Sequence, residues 1–253
     1  KYPHSIGLFY SAITKRIGLK PNEDEYITMG MAAYGEPKLN MRWMFDLPDK
    51  NWHRGIPLVY FQGQAPEDIA ASAQLEIERQ ITQVMNVAQN YGKNLCYGGG
   101  VALNCVANSK ILPSRFNKTW IFPNPGDAGS SLGAALGYLG RKVEYKHCFW
   151  GNEIVGSPNP RRIVDYLLLN KVVGVANGKT EFGPRALGNR SLLGDVRYDI
   201  KRTVNRIKRR QKFRPFAPAI LEEYFDDYFE GEKNEFMQYT CKAKHDYKSV
   251  THV

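Results

Sequence analysis

Two arginines, Arg185 and Arg190, lie close together in the segment TEFGPRALGNRS, residues 180–191. A guanidinium presents a planar fork of N–H donors that matches two oxygens of a phosphate or carboxylate. Pro184 restricts the backbone just before Arg185, and Glu181 could brace one of the two arginines. These residue types predict that Arg185 and Arg190 hold an oxyanion and act as catalytic residues.

The cations continue beyond this segment. Residues 161–214 contain 15 Lys and Arg against 4 Asp and Glu, in a chain whose net charge is +10. A basic block of this kind attracts polyanions such as nucleic acid, phosphorylated metabolites or anionic lipid. For the run DIKRTVNRIKRRQ, a solvated helix face is the alternative. The residues predicted to bind phosphate groups are Lys179, Arg185, Asn189, Arg190, Ser191, Lys208, Arg209, Lys212 and Arg214.

Three consecutive glycines, Gly98, Gly99 and Gly100, lie between a predicted strand and a predicted helix in YGGGVALN, residues 97–104. Glycine lets a ligand approach the backbone closely, and a helix N-terminus offers free N–H groups to an anion. Asn104 can hydrogen-bond a sugar or a phosphate. We therefore predict that these four residues bind a nucleotide; the alternative is a tight turn with Asn104 on a solvent-exposed face.

Asp127 lies in NPGDAGSSLGAA, residues 124–135, in a turn just before a helix rich in small residues. A carboxylate in this place can bind a divalent metal, or a metal that is bound to phosphates. The alternative role is that of a helix N-cap. The fragment GKT, residues 178–180, resembles the end of a P-loop motif. That motif also needs a glycine five residues before Gly178, where this chain has Val173.

The four cysteines contain no CxxC pair, so the sequence encodes neither a zinc ribbon nor a redox pair. Scattered cysteines in a chain of this length predict reduced thiols and a cytoplasmic location. No apolar run approaches the roughly 20 residues of a membrane helix, and we expect no membrane partner.

The elements that must position these residues follow from hydrophobic spacing and from glycine and proline. Ile69, Ala73 and Ile77 mark one face of a long helix, with Pro66 near its start. From residue 94 onwards, short apolar runs alternate with helical patterns, which predicts an α/β fold with one sheet. The predicted helices are 6–17, 24–35, 66–91, 101–112, 130–140, 158–170 and 199–211, and the predicted strands are 94–98, 118–122 and 171–177.

Six ordered motifs then resemble one family: PHSIGLFYSAIT, MGMAAYGEP, YGGGVALNCVANSKI, FPNPGDAGSSLGAAL, EFGPRALGNRSLLGDVR and KFRPFAP. Together they are similar to the O-carbamoyltransferases, which carbamoylate hydroxyls of nodulation factors, aminoglycosides and cephem antibiotics. The resemblance implies two domains. Residues 1–155 would be part of a Kae1-like (actin/Hsp70-type ATPase) domain, lacking its N-terminal part, and residues 156–253 the start of a YrdC-like α/β domain. A Gly, Pro and Asn cluster at 151–160 agrees with a boundary there.

The resemblance also implies a reaction. ATP and carbamoyl phosphate would form carbamoyl-adenylate in the YrdC-like part, with release of phosphate and pyrophosphate. The Kae1-like part would then move the carbamoyl group to a hydroxyl of a small molecule or glycan. A divalent metal, iron or magnesium, would hold the nucleotide, with Asp127 in the position of the family's metal-binding aspartate. The basic loop and helix would receive carbamoyl phosphate and ATP, which accounts for the positive charge because both are polyanions.

The resemblance places a pair of metal-binding histidines upstream of Asp127 and the rest of the YrdC-like domain downstream. We therefore expect the 253 residues to be an internal fragment that is weakly active or inactive alone. A homodimer is the candidate assembly. Two alternative functions are a threonylcarbamoyl-type tRNA-modification enzyme, which suits the basic surface, and a basic nucleic-acid-binding module. The basic cluster is not interleaved with exposed aromatic residues, which disfavours nucleic acid as a partner.

Overall fold

The structure is a computed structural model that describes residues 3–252. The α-helices are α1 Ile6–Arg16, α2 Glu25–Met31, α3 Arg42–Asp46, α4 Pro66–Ala88, α5 Cys105–Ile111, α6 Asp127–Leu139, α7 Pro160–Asn170, α8 Lys201–Ile207 and α9 Phe225–Tyr228. The strands are β1 Asn94–Tyr97, β2 Lys118–Ile121, β3 Phe149–Glu153, β4 Val172–Ala176, β5 Lys179–Glu181, β6 Arg190–Gly194, β7 Phe229–Glu230 and β8 Lys242–Ala243. The chain divides into two compact units, one of residues 3–96 and 104–120 and the other of residues 97–103 and 121–252.

The first unit is built around α1 and α4. Phe9 and Ile13 of α1, and Ile69, Ala73 and Ile77 of α4, are all at most 1% exposed. Their spacing of three or four positions puts them on one face of each helix, so the two apolar faces pack together. The hydrophobic periodicity therefore predicts both helices correctly.

The ends of these helices follow from local chemistry. The Ser5 hydroxyl accepts a hydrogen bond from the backbone N–H of Leu8 at 3.1 Å and caps α1. Pro66 begins α4, and Glu67 and Asp68 in its first turn favour the positive end of the helix dipole. Within residues 3–252, no helix is both long enough and apolar enough to cross a membrane.

The second unit confirms the predicted α/β class but not the single sheet. Its described strands form separate antiparallel pairs, β3 with β5, β4 with β6 and β7 with β8. Strand β4 pairs with β6 from Val172 opposite Gly194 to Ala176 opposite Arg190. Strands β3, β5 and β6 were not predicted, because they are short and their sequences are mixed with polar residues. The β1–β2 pair is a further two-stranded sheet.

The end of one helix differs from the sequence-based expectation. The basic helix α8 ends at Ile207, so the cations that follow it lie in a loop, where Arg209 has a positive φ of 49°. The division into compact units, with residues 97–103 and 121–252 in one of them, does not follow the predicted domain boundary near residue 155. That boundary stays a prediction about family domains.

Two glycines of α6 give a matched test of how closely this helix packs against the loop before it. A Cβ on Gly129 would collide with the backbone carbonyl of Asn124, whereas a Cβ on Gly133 would meet no atom within 4 Å. Gly129→Ala is expected to lower the free energy of unfolding by about 2 kcal/mol through overpacking. Gly133→Ala should raise it by about 1 kcal/mol, because alanine favours a helix interior over glycine. Urea unfolding followed by circular dichroism measures both, and equal effects would contradict the packing described for Gly129.

Candidate functional site

Three loops of the second unit meet at one place. The glycine turn, residues 98–103, is tied to the loop of residues 122–127 by a hydrogen bond of 2.7 Å from Gly99 N–H to the Pro125 carbonyl. The arginine loop, residues 182–189, lies beside both. A Cβ on Gly183 would lie 3.1 Å from the Pro123 carbonyl oxygen, and an Arg185 Nη2 lies 3.4 Å from the Leu103 carbonyl oxygen. The structure thus brings the glycine turn, the Asp127 loop and the arginine loop together.

The arginine loop joins two different sheets, because β5 pairs with β3 and β6 pairs with β4. Its base is closed by the Asn177 N–H, which donates to the Asn189 carbonyl at 3.0 Å. The Asn189 side-chain amide donates to the Lys179 carbonyl at 2.7 Å, and the Ser191 hydroxyl accepts from Gly188 N–H at 3.0 Å. The predicted phosphate ligands Asn189 and Ser191 therefore have structural bonds inside the loop.

Glu181 holds the arginine loop from its N-terminal end. Its Oε1 accepts hydrogen bonds from the backbone N–H groups of Leu187 at 2.7 Å, Asn189 at 3.0 Å and Arg190 at 3.3 Å. Burial alone would raise the pKa of this carboxyl, but the backbone N–H bonds outweigh burial and lower it. Glu181 therefore braces the backbone around Arg190. The sequence suggested Glu181 as a brace for an arginine, but not that its partners are backbone N–H groups.

Arg190 holds the loop from the opposite end. Its Nη1 donates to the carbonyls of Asn177 and Asn189, each at 2.7 Å. Its Nη2 donates to the carbonyls of Asn152 at 3.1 Å and Gly178 at 3.2 Å. The guanidinium thus joins β3, the β4–β5 turn and the end of the loop through backbone oxygens.

Arg185 differs from Arg190 in its bonding. Its Nε is buried and has no hydrogen-bond partner within the described part of the chain. The one hydrogen bond of its side chain to residues 3–252 is the long one from Nη2 to the Leu103 carbonyl. A buried donor without a partner costs free energy, which a bound anion would recover. Among the site arginines, Arg185 is therefore the one whose donors point to a ligand.

The glycine turn is open where a ligand would approach it. Gly98, Gly99 and Gly100 are exposed, and a Cβ on any of them would meet no atom within 4 Å. Asn104 belongs to the other compact unit and is only 6% exposed. Its amide pairs with that of Gln74 and caps α5 at Ala107 N–H, so its donors and acceptor serve the fold. Nucleotide binding by Asn104 stays a prediction.

Asp127 is exposed and is the first residue of α6, while Gly126 takes the N-cap position. The alternative role as N-cap therefore belongs to its neighbour. A metal needs several ligands, and no group of three His, Cys, Asp or Glu side chains among residues 3–252 is arranged to hold one. The described residues supply one candidate ligand and do not by themselves form a metal site.

A second basic group surrounds Asn205 of α8, a residue that the sequence analysis missed. Its fully buried amide accepts from Arg210 Nε at 2.6 Å and donates to the carbonyls of Lys212 at 3.1 Å and Arg214 at 2.9 Å. Burial, followed by the charges of Arg210 and Arg214, lowers the pKa of Lys208, so these three cations lie close enough to repel one another. Anion binding would relieve this repulsion. Three further predicted ligands are exposed: Lys179, Arg209 and Lys212.

The lowered pKa of Glu181 gives a pH dependence. Because its folded-state pKa lies below the ordinary value, its stabilisation is present above about pH 4.3. It is lost as the pH falls through the folded-state pKa. We expect Glu181→Gln to lower the free energy of unfolding by about 2 kcal/mol at pH 7, from weaker charge-assisted bonds. The difference between wild type and variant should shrink in acid. Urea unfolding between pH 7 and pH 3.5 measures it, and a constant difference would contradict the bonding described.

Family models match most of the chain. The model described as "Carbamoyltransferase N-terminus" matches residues 1–56 and 50–136, and the model described as "Carbamoyltransferase C-terminus" matches residues 164–253. The three loops that meet in the second unit come from both matched regions.

Similar proteins match nearly the whole chain. "Nodulation protein NolNO" of Sinorhizobium fredii is 30% identical over 98% of this chain and 45% of its own length. "Nodulation protein NolO" of Bradyrhizobium diazoefficiens is 31% identical over 90% of this chain and 50% of its own length. An uncharacterized protein of Synechocystis is 36% identical over 90% of this chain and 48% of its own length. The chain spans about half the length of these curated relatives.

Proposed function

Because the chain belongs to the carbamoyltransferase family, we propose that it contributes to moving a carbamoyl group from carbamoyl phosphate to a hydroxyl of a small molecule or glycan. In the proposed sequence, water cleaves carbamoyl phosphate to carbamate and phosphate. A carbamate oxygen attacks the α-phosphorus of ATP, and pyrophosphate leaves. The acceptor hydroxyl then attacks the carbonyl carbon of carbamoyl-adenylate, loses its proton and releases AMP.

The observation that carries the proposal is the buried Nε of Arg185, which has no hydrogen-bond partner among residues 3–252 and lies in a loop held by Glu181 and Arg190. A fixed donor stabilises an oxyanion at little cost in reorganisation, since the loop is already folded around it. The phosphate of carbamoyl phosphate is the ligand that a guanidinium fork fits. Arg185 would hold this phosphate beside the glycine turn.

ATP would lie along the remaining features of the second unit. The exposed backbone of Gly98, Gly99 and Gly100 allows phosphate oxygens to approach closely, because no side chain stands in the way. The basic group around Asn205 would bind phosphate oxygens of ATP, with Lys208 and Arg214 as hydrogen-bond donors. Holding both anions in one unit would promote their reaction by proximity.

The family's metal would need ligands besides Asp127, which the described residues do not provide. Asp127 would supply one ligand of that metal. The Kae1-like and YrdC-like fold assignment is likewise part of the proposal. Its support is that the two family models leave residues 137–163 between them, a stretch that includes the predicted boundary near residue 155.

The test supplies ATP and carbamoyl phosphate to the 253-residue chain and, in parallel, to the longest protein product of its reading frame. Pyrophosphate release is followed with a coupled assay. We expect release that requires carbamoyl phosphate from the longer product, and weak or no release from the 253 residues. Robust turnover by the 253 residues would contradict the expected weak activity. Pyrophosphate release that does not depend on carbamoyl phosphate would contradict the proposed function.

A further inference from the structure

We infer that Glu181 and Arg190 are a pair of positioning residues that act through Arg185, and that neither contacts the carbamoyl donor. The inference rests on the proposed function and changes the role predicted for Arg190 from catalytic to positioning.

Glu181 accepts hydrogen bonds from backbone N–H groups at the C-terminal end of the arginine loop. Three backbone donors, from Leu187, Asn189 and Arg190, converge on one carboxylate oxygen. An ionised carboxylate binds such donors more strongly than a neutral group does. These bonds fix the chain directly after Arg185.

Arg190 donates hydrogen bonds to backbone carbonyl groups. Its terminal nitrogens donate to the four backbone oxygens of Asn152, Asn177, Gly178 and Asn189. A guanidinium has five N–H donors, so these bonds leave little capacity for a ligand phosphate. The geometry requires the breadth of a guanidinium, because a lysine ammonium is a single point with three donors.

The two charged groups therefore fix the same end of the loop by complementary bonds. The carboxylate accepts from the N–H groups of residues 187, 189 and 190, and the guanidinium joins the Asn189 carbonyl to three carbonyls outside the loop. Arg185 lies between the two anchors and keeps its Nε without a partner within the described residues. The hydrogen-bonded loop thus holds the guanidinium of Arg185 in place for a ligand.

A double-mutant cycle tests this arrangement. The probe is phosphonoacetamide, a stable analogue in which a methylene replaces the bridging oxygen of carbamoyl phosphate, titrated calorimetrically into the 253-residue chain. We expect Glu181→Gln to weaken binding by about 10-fold and Arg185→Ala by about 100-fold, with the double variant no worse than Arg185→Ala alone. Full coupling of this kind would show that Glu181 acts through Arg185. Multiplicative losses in the double variant would overturn the inference.

Conservative variants separate positioning from charge. Arg190→Lys keeps the charge but cannot reach four carbonyls, so it should lose as much affinity as Arg190→Ala; retained affinity in Arg190→Lys would overturn the inference. Glu144→Gln, at an exposed glutamate, is the matched control and should bind like wild type. Hydrogen exchange without ligand should speed up at the amides of Leu187 and Asn189 in Glu181→Gln. Unchanged exchange would contradict the inference that Glu181 holds the backbone of the arginine loop. A wild-type chain that does not bind the probe would instead contradict the proposed function, whatever the exchange result.

Discussion

Replacing Arg185 with alanine is expected to weaken phosphonoacetamide binding by about 100-fold, since removal of one preorganised oxyanion donor typically costs this much. The fold should be little affected, because the one hydrogen bond of this side chain to the described residues is the long one to the Leu103 carbonyl. Removing the buried Nε donor, which has no partner in the described part of the chain, also relieves a desolvation cost, so stability should stay constant or rise slightly. Calorimetric titration and thermal unfolding measure the two effects separately.

Two further variants sharpen this prediction. Arg185→Lys keeps a positive charge but loses the planar fork and the Nε donor, so we expect it to bind the probe between wild type and Arg185→Ala. Arg161→Ala removes an exposed guanidinium from α7 and serves as the control for net charge. Equal losses in Arg161→Ala and Arg185→Ala would mean that general electrostatic attraction, and not the loop, binds the anion.

The second large effect is expected at Asn205. Asn205→Ala removes bonds to Arg210 Nε and to the carbonyls of Lys212 and Arg214 at a site that is 0% exposed. Stranding these partners should lower the free energy of unfolding by about 3 kcal/mol. The loop that carries the cations would lose its anchor, and we expect ATP affinity to fall by about 10-fold, the cost of one or two charge-assisted bonds.

Arg206→Ala provides the control for Asn205→Ala, because Arg206 is the exposed neighbour on the same helix. It removes a charge without touching the anchor, so stability should change by less than about 0.5 kcal/mol. ATP titrations at low and high salt show whether the loss depends on loop order or on charge. If Asn205→Ala unfolds at the same urea concentration as wild type, the anchoring role described for Asn205 is wrong.

Hydrophobic spacing was sufficient for the long helices. The apolar face of α4 is continuous from Ile69 to Ile77, and Pro66 marks its start, so periodicity and local chemistry agree. Short strands carry no such repeat. Strands β5 and β6 form by pairing with β3 and β4, which are separated from them by intervening loops or helices, and local propensity contains no information about these partners.

The candidate site was predictable in residue type but not in role. Sequence indicated that the arginine loop carries oxyanion donors, and the structure places Arg185 beside the glycine turn. The sequence could not distinguish the role of Arg185 from that of Arg190, since the difference lies in which carbonyls each guanidinium reaches. Asn205 escaped notice for the same reason: a single asparagine in a helix has no sequence feature that marks it as an anchor.

The most direct measurement of the central claim is a ¹H–¹⁵N spectrum of the arginine Nε–H groups, recorded while phosphonoacetamide is added to the chain. The account predicts that the Arg185 resonance shifts downfield and saturates, whereas the Arg190 resonance stays in place because its guanidinium is already bonded to backbone oxygens. An unmoved Arg185 resonance at saturating probe, or an equal shift of Arg190, would contradict it.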